Sequence, residues 1–154
     1  MKKTIYMLFA AAACLMAACS NNKDEVRIYE HSAAQDIVGK YVGTWHCTST
    51  TGTDTLYNGE VEFAVWKDSI ENVCFIYPRC KESNPEFDLR GLANVAHAGD
   101  DIIFNNDKGA GNGIGTAFFG RVNAKKEAIM TMTLQGREGR KTVMMTYKFS
   151  GTIQ

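Results

Sequence analysis

The sequence contains little proline, no excess of charge of either sign and no long hydrophobic run, and each absence excludes a class of protein. Only two of its 154 residues are proline while 45% are hydrophobic, which excludes a proline-rich disordered chain and favours a packed core. Seventeen basic residues balance seventeen acidic ones, so the chain lacks the basic surface of a nucleic-acid-binding protein. The apolar run Ile5–Met16 is too short to span a bilayer by itself.

The N-terminus has instead the pattern of a bacterial lipoprotein signal peptide. Two lysines form a cationic n-region, Ile5–Met16 form an apolar h-region, and Leu15–Cys19 form a relaxed lipobox. We therefore expect residues 1–18 to be removed as a signal peptide and Cys19 to carry the lipid. The two acyl chains of a lipoprotein cysteine would tether the mature protein stably to a membrane.

The residues around the predicted cleavage site bear on the alternatives to lipidation at Cys19 and on the expected location of the protein. Cys14 is a rival lipidation site that would shorten the h-region, so Cys19 is preferred. An ordinary secretory signal, which would release a soluble protein, is the other alternative. Ser20–Glu25 is similar to the lipoprotein export signals of Bacteroidota, in which lysine and acidic residues near the cysteine direct a protein to the cell surface. We predict an outer-membrane lipoprotein, with the cell surface favoured over the periplasmic face.

The mature chain has the size of one domain and contains few cysteines. Without residues 1–18 it has 136 residues, with fifteen basic and seventeen acidic side chains. Besides Cys19 it contains Cys47, Cys74 and Cys80, and the expected compartment permits disulfides. A bridge between Cys74 and Cys80 is possible, but buried thiols are favoured, and the spacings match no zinc motif.

Apolar and polar residues alternate with period two through most of the mature chain, which predicts strands. A short lead-in over Tyr29–Val38 suits a turn or two of helix, and Asn58-Gly59 is either a bulge or a hairpin turn. Residues 36–154 predict an all-β fold, an antiparallel up-and-down barrel of about eight strands, after a tether and lead-in over residues 19–35. A two-sheet sandwich is the alternative. The predicted strands are Lys40–Thr48, Thr55–Trp66, Ile70–Tyr77, Phe87–Val95, Asp101–Asn105, Ile114–Asn123, Ala128–Leu134 and Lys141–Ser150.

The first predicted strand carries a resemblance to a known family. Asp36–Trp45 resembles the first strand of lipocalin-type barrels, in which a Gly-x-Trp motif closes one barrel end. Asp36–Ile153 as a whole resembles the calycin-like lipoproteins of Bacteroidota, including the closing segment Phe149–Ile153. The resemblance implies an eight-stranded lipocalin-like barrel on a lipid tether, with no established activity and no catalytic residues to transfer. The chain departs from true lipocalins in having Lys148, rather than an arginine, near the end of the last strand.

The predicted inner face of the barrel is bulky and almost entirely apolar, which favours a packed core over a ligand cavity. A binding role would then depend on the loops Pro78–Pro85 and Asn106–Gly113, with Tyr77, Phe87 and Trp66 near strand ends as candidate contacts. The candidates for the barrel interior or for ligand contact are Trp45, Phe63, Phe75, Tyr77, Met132 and Tyr147.

No catalytic motif is present in the sequence. The histidines His31, His46 and His97 fall in the lead-in, on an outward strand face and in a turn, so no metal site is expected. The glycine-rich stretch 109–115 lacks the G-x-G-x-x-G spacing of a phosphate loop. We predict a non-catalytic binding module without a cofactor, whose ligand is a small apolar molecule, a glycan or a protein. The alternative is an envelope accessory or inhibitor protein that acts through its loops around a packed barrel.

Overall fold

The computed structural model describes residues 28–52, 54–65, 72–83, 86–106 and 117–154. They form one short helix, α1 (Ala33–Ile37), followed by strands only. The strands are β1 (Gly39–Ser49), β2 (Asp54–Ala64), β3 (Val73–Cys80), β4 (Phe87–Asp88), β5 (Gly91–Ala98), β6 (Asp101–Asn105), β7 (Phe118–Val122), β8 (Glu127–Glu138) and β9 (Lys141–Ile153).

All the strands belong to one antiparallel sheet, which closes into a ring. The order around the ring is β1, β2, β3, β5, β6, β7, β8 and β9, and β9 pairs again with β1. Because each strand of the ring is hydrogen-bonded on both sides, closure removes the exposed sheet edges. The prediction of an antiparallel all-β barrel is confirmed.

β4 and β5 are two parts of one strand that is interrupted opposite Pro78. Both pair with β3 in a single register. The N–H of Leu89 donates to the carbonyl of Pro78 (3.0 Å), but a proline has no N–H with which to return the bond. The predicted strand Phe87–Val95 is therefore present, with a break at residues 89–90, and it continues to Ala98.

The short helix predicted in the lead-in is present, and it packs against one end of the ring. The hydroxyl of Ser32 accepts a bond from the N–H of Gln35, and the Gln35 side chain accepts one from the N–H of Ser32, which together form a capping box. The hydroxyl of Tyr41 on β1 donates to the last carbonyl of the helix, that of Ile37 (3.1 Å). The helix contacts β5 and β6, and its buried residues are Ala33, Ala34 and Ile37.

Two glycines of the inner face lie directly beneath core aromatic rings. A Cβ atom on Gly59 would be 2.4 Å from Cδ1 of Trp45, and one on Gly120 would be 2.3 Å from Cζ of Phe104. Real Cβ atoms essentially never come so close, so each glycine makes room for a ring. The expectation of a bulge or turn at Asn58-Gly59 is wrong, because the pairing of β2 with β1 runs through both residues without a break.

The hairpin between β8 and β9 is longer than the sequence indicated. The predicted strands Ala128–Leu134 and Lys141–Ser150 leave residues 135–140 as a connection between them, but β8 continues to Glu138, which pairs with Lys141. Only two residues form the turn, and Gly139 has a φ of +61°, as the tight turn requires. The second glycine of the stretch, Gly136, is a buried position within the strand.

Candidate functional site

Four of the six candidate residues lie inside the ring. Trp45, Phe63, Met132 and Tyr147 are each at most 1% exposed. The indole N–H of Trp45 donates to the carbonyl of Arg79 (3.1 Å), so the polar atom of this large side chain is satisfied within the core.

Aromatic rings meet across the interior at two levels. The ring centroids of Phe87 and Tyr147 are 5.1 Å apart, although β4 and β9 lie on opposite sides of the ring of strands. Nearer the end with the helix, the centroids of Phe63 on β2 and Phe104 on β6 are 4.9 Å apart. These separations are those of rings in contact, so side chains fill the interior at both levels.

Three ionisable groups buried in the interior, those of Tyr41, Cys74 and Tyr147, stay uncharged at neutral pH. Burial raises the pKa of the Tyr41 hydroxyl to about 12 and that of the Cys74 thiol to about 12. Burial also raises the pKa of Tyr147, whose hydroxyl donates to the sulfur of Met145 (3.9 Å). These groups therefore supply neither a thiolate nor a phenolate for chemistry, because the thiolate is the reactive form of a cysteine.

The expectation that Phe75 and Tyr77 point into the barrel is wrong. The buried residues of β3 are Cys74, Ile76, Pro78 and Cys80, which places Phe75 and Tyr77 half-buried on the outer face. The interior beside β3 already contains the rings of Trp45 and Phe63, so smaller side chains fit there. Cys74 and Cys80 are not bridged, in agreement with the favoured prediction of buried thiols.

The outer face of β3 instead carries what we call the arginine–aromatic surface, made of Phe75, Tyr77, Arg79 and Arg90. The rings of Phe75 and Tyr77 are stacked, with centroids 6.4 Å apart and 27° between their planes. The guanidinium of Arg90, from the break between β4 and β5, lies 5.1 Å from the centroid of Phe75 and 5.8 Å from that of Tyr77. The guanidinium of Arg79 lies 5.3 Å from the centroid of Tyr77. All three distances are within the range of cation–π attraction.

Carboxylates hold Arg79 in a fixed orientation. Its Nη1 lies 3.2 Å from Glu60 and 3.0 Å from Glu62, and its Nε lies 3.0 Å from Asp88. A hydrogen bond from Lys40 (2.6 Å), more than the bond from Arg79, lowers the pKa of Glu60. The charge of Arg79 is therefore paired, and its side chain oriented, before any partner binds.

A second outer surface is apolar and lies on β6, β7 and β8. Ile103, Phe119 and Ile129 are 43%, 62% and 44% exposed, and they line a shallow cavity of about 470 Å³, which we call the apolar groove. Arg121, which pairs with Asp101 (3.3 Å), lies between the two isoleucines in the register of the strands. Exposed apolar side chains that are contiguous in this way mark a binding surface more often than isolated ones do.

Two of the three histidines, His31 and His97, lie together at Asp36, and no sequence pattern predicts this contact. Asp36 lies 3.4 Å from Nδ1 of His31 and 3.4 Å from Nε2 of His97, and the ring of Tyr29 stacks on His97 with centroids 3.7 Å apart. In the part of the chain that the structure describes, no three histidine, cysteine or acidic side chains are placed to hold a metal ion. These contacts fasten the lead-in segment to the barrel.

Some predictions fall outside the described residues. Cys19, Trp66 and most of the predicted loop Asn106–Gly113 are among them, as are two residues of the predicted loop Pro78–Pro85. The start of that second loop was predicted wrongly, because β3 continues to Cys80. Phe87, proposed as a loop contact, is 5% exposed and belongs to the core.

The arginine–aromatic surface was missed, although one signal was present. Phe75, Tyr77 and Arg79 alternate along one strand, which places them on one face. The contribution of Arg90 depends on the pairing of β3 with the next strand, which the sequence does not reveal.

No family model, curated protein or solved structure matches this chain. Among the described residues, no helix has both the length and the apolar character needed to cross a membrane.

Proposed function

We propose that this protein is a lipid-anchored, non-catalytic binding protein of the bacterial outer membrane, and that it binds a partner protein through the arginine–aromatic surface. The observation that carries the proposal is the filled interior, where Phe87 meets Tyr147 and Phe63 meets Phe104 across the ring. A barrel whose interior is filled by its own side chains has no room there for a ligand, so a partner would bind to its outer surface.

The composition of the surface favours a protein as the partner. Tyrosine and arginine are enriched among the residues that dominate the binding energy of protein interfaces. Three carboxylates already orient Arg79, and Arg90 already lies over two rings, so little side-chain entropy is lost when a partner docks. The side chain of Arg79 is 29% exposed, which leaves part of it accessible to a partner.

The lipid anchor in this proposal rests on the lipobox Leu15–Cys19. Its geometry is compatible with the barrel, because Ile28, the first described residue, is 93% exposed. An orientation toward the cell exterior is part of the proposal, and it is supported by the charged residues of Ser20–Glu25.

Site-specific photocrosslinking in the native host tests the proposal. A photoreactive phenylalanine analogue replaces Tyr77 in the full-length chain, and the same analogue replaces Met144, which is 46% exposed on β9, in a matched control. We expect irradiation to give one adduct of discrete mass at position 77, sensitive to protease, and none at position 144. Arg90→Ala in the same chain should reduce the yield of this adduct, because it removes the cation that lies over both rings.

Other outcomes would contradict the proposal in distinct ways. Equal adducts at both positions, or none at position 77, would reject the arginine–aromatic surface as the binding site. An adduct whose added mass is removed by glycosidases, and whose digest contains no peptides of a second protein, would assign the surface to a glycan. A small molecule released only on denaturation, detected by native mass spectrometry of the purified protein, would move the binding site into the interior.

A further inference from the structure

The apolar groove lies beside the point where the lead-in segment reaches the barrel. Tyr29 donates a hydrogen bond to the carbonyl of Gly99 (3.0 Å), in the turn between β5 and β6. β6 begins at Asp101, and Ile103 is two residues further, about 7 Å along the strand. The first side chain of the groove therefore lies close to the attachment of the lead-in.

The length of the tether limits how far the barrel can lie from a membrane. Eight residues lie between Cys19 and Ile28, and a fully extended chain over these nine steps spans about 30 Å. A lipid on Cys19 would therefore keep Ile28 within about 30 Å of the bilayer surface. Tyr29, the next residue, contacts the turn between β5 and β6, and Ile103 of the groove lies on the strand that follows this turn.

The charges around the groove suit a lipid surface. The exposed Lys148 lines its edge from β9, and Arg121 lies within it between Ile103 and Ile129. Surfaces that lie on membranes place aromatic and aliphatic side chains at the headgroup boundary and lysine or arginine beside them. Arg121 is paired with Asp101, so Lys148 is the cation whose long stem can lie along the apolar side chains while its charged end reaches the phosphates.

The size of the groove argues against a second copy of the chain as its occupant. A stable protein interface buries about 800 Å² on each partner. Three partly exposed side chains provide only a fraction of that area, but they can add to an anchor that already holds the protein at the membrane.

We infer that the apolar groove is the membrane-facing side of the tethered barrel, with Phe119 at its centre in contact with the lipid headgroup–acyl boundary. The inference rests on the lipid anchor of the proposed function, and it assigns the groove, rather than the arginine–aromatic surface, to the membrane.

Quenching by brominated lipids tests this inference on the lipidated chain purified from its native host. The chain is reconstituted into vesicles of phosphatidylethanolamine and phosphatidylglycerol with brominated acyl chains. Phe119→Trp places an indole in the groove, and Leu56→Trp places one at a site that is 68% exposed on β2, four strands from β7 around the ring. The unsubstituted protein gives the signal of the two natural tryptophans, which is subtracted.

We expect a loss of fluorescence for Phe119→Trp and none for Leu56→Trp. Equal quenching of the two indoles, or none in the groove, would overturn the inference. A dimer in solution that Phe119→Asp abolishes would overturn it as well, because the groove would then be covered by a second copy. The mass of the N-terminal peptide separates the two proposals. A Cys19 without acyl chains rejects both, whereas an acylated chain with no quenching in the groove rejects only this one.

Discussion

Replacing Phe63 by alanine removes one of the rings that meet across the interior. Phe63 is 1% exposed, and its ring contacts those of Phe104 and Tyr41 at centroid distances of 4.9 and 5.7 Å. A buried aromatic side chain removes about 150–250 Å² from water. At about 25 cal/mol per Å² this gives an upper limit of about 4–6 kcal/mol. Measured losses for such substitutions are about 3–5 kcal/mol, and we expect Phe63→Ala to lower the free energy of unfolding by that amount.

The hole left by Phe63→Ala provides a second readout. A cavity lined by apolar side chains stays dry and takes up benzene. Because a ligand that binds only the folded state raises its stability, benzene should restore part of the free energy lost in Phe63→Ala. The unsubstituted protein, whose interior is filled at this level, should gain nothing from benzene.

Urea unfolding followed by tryptophan fluorescence, with and without benzene, measures both effects. Phe119→Ala is the matched control, since it removes the same atoms from a side chain that is 62% exposed, and its effect should stay within about 0.5 kcal/mol. A loss below about 1.5 kcal/mol for Phe63→Ala would contradict the filled interior, because core deletions of this kind cost more. Stabilisation of the unsubstituted protein by benzene would refute it directly.

Three further predictions follow from the packing, the charges and the thiols. Gly59→Ala should lower stability by about 1–3 kcal/mol, measured by urea unfolding, because the new Cβ would overlap Trp45; an unchanged midpoint would reject the close contact. Glu60 has a lowered pKa in the folded state, mainly through its bond to Lys40. The stability that its ionised carboxyl contributes is therefore complete above the ordinary pKa of glutamate, and it is lost as the pH falls through the lowered pKa. Lys40→Met should therefore reduce the loss of stability between about pH 5 and pH 3, by at most about 1 kcal/mol, and an identical acid profile would contradict the pairing. The raised pKa of Cys74 should protect it from alkylation by iodoacetamide in the folded protein and not in denaturant, as peptide mass mapping would detect; rapid labelling of the folded protein would contradict its burial.

The sequence predicted the fold where one face of a strand is polar. In β8, Thr131 and Thr133 alternate with Met130 and Met132, and the alternation assigned the inner face correctly. In β3 both faces are apolar, because Cys74 and Ile76 alternate with larger aromatic residues. The alternation of residue types then does not show which face of the strand points inward. The larger side chains were assigned to the inner face, and this assignment was wrong.

The candidate surfaces were harder to predict than the fold, because they depend on contacts between distant parts of the chain. Arg90 reaches Phe75 and Tyr77 only through the pairing of β3 with its neighbour. The apolar groove likewise combines three strands, each of which contributes one exposed apolar residue that is unremarkable alone. The register in which the strands pair determines which residues meet on both surfaces, and local sequence patterns do not specify this register.

The fastening of the lead-in segment to the barrel has a mechanical consequence for a protein held by its N-terminus. A pull on the tether first loads the contacts of Tyr29 with Gly99 and His97, which lie at the surface of the barrel. These weak contacts can open and close again without disturbing the core. Only afterwards does the load reach α1, whose Ala33, Ala34 and Ile37 are buried, and then β1, whose ladders with β2 and β9 run along nearly its whole length. In the lipid-anchored form that we propose, the contacts of Tyr29 would therefore yield to drag at the membrane before the helix or any strand of the ring is pulled out.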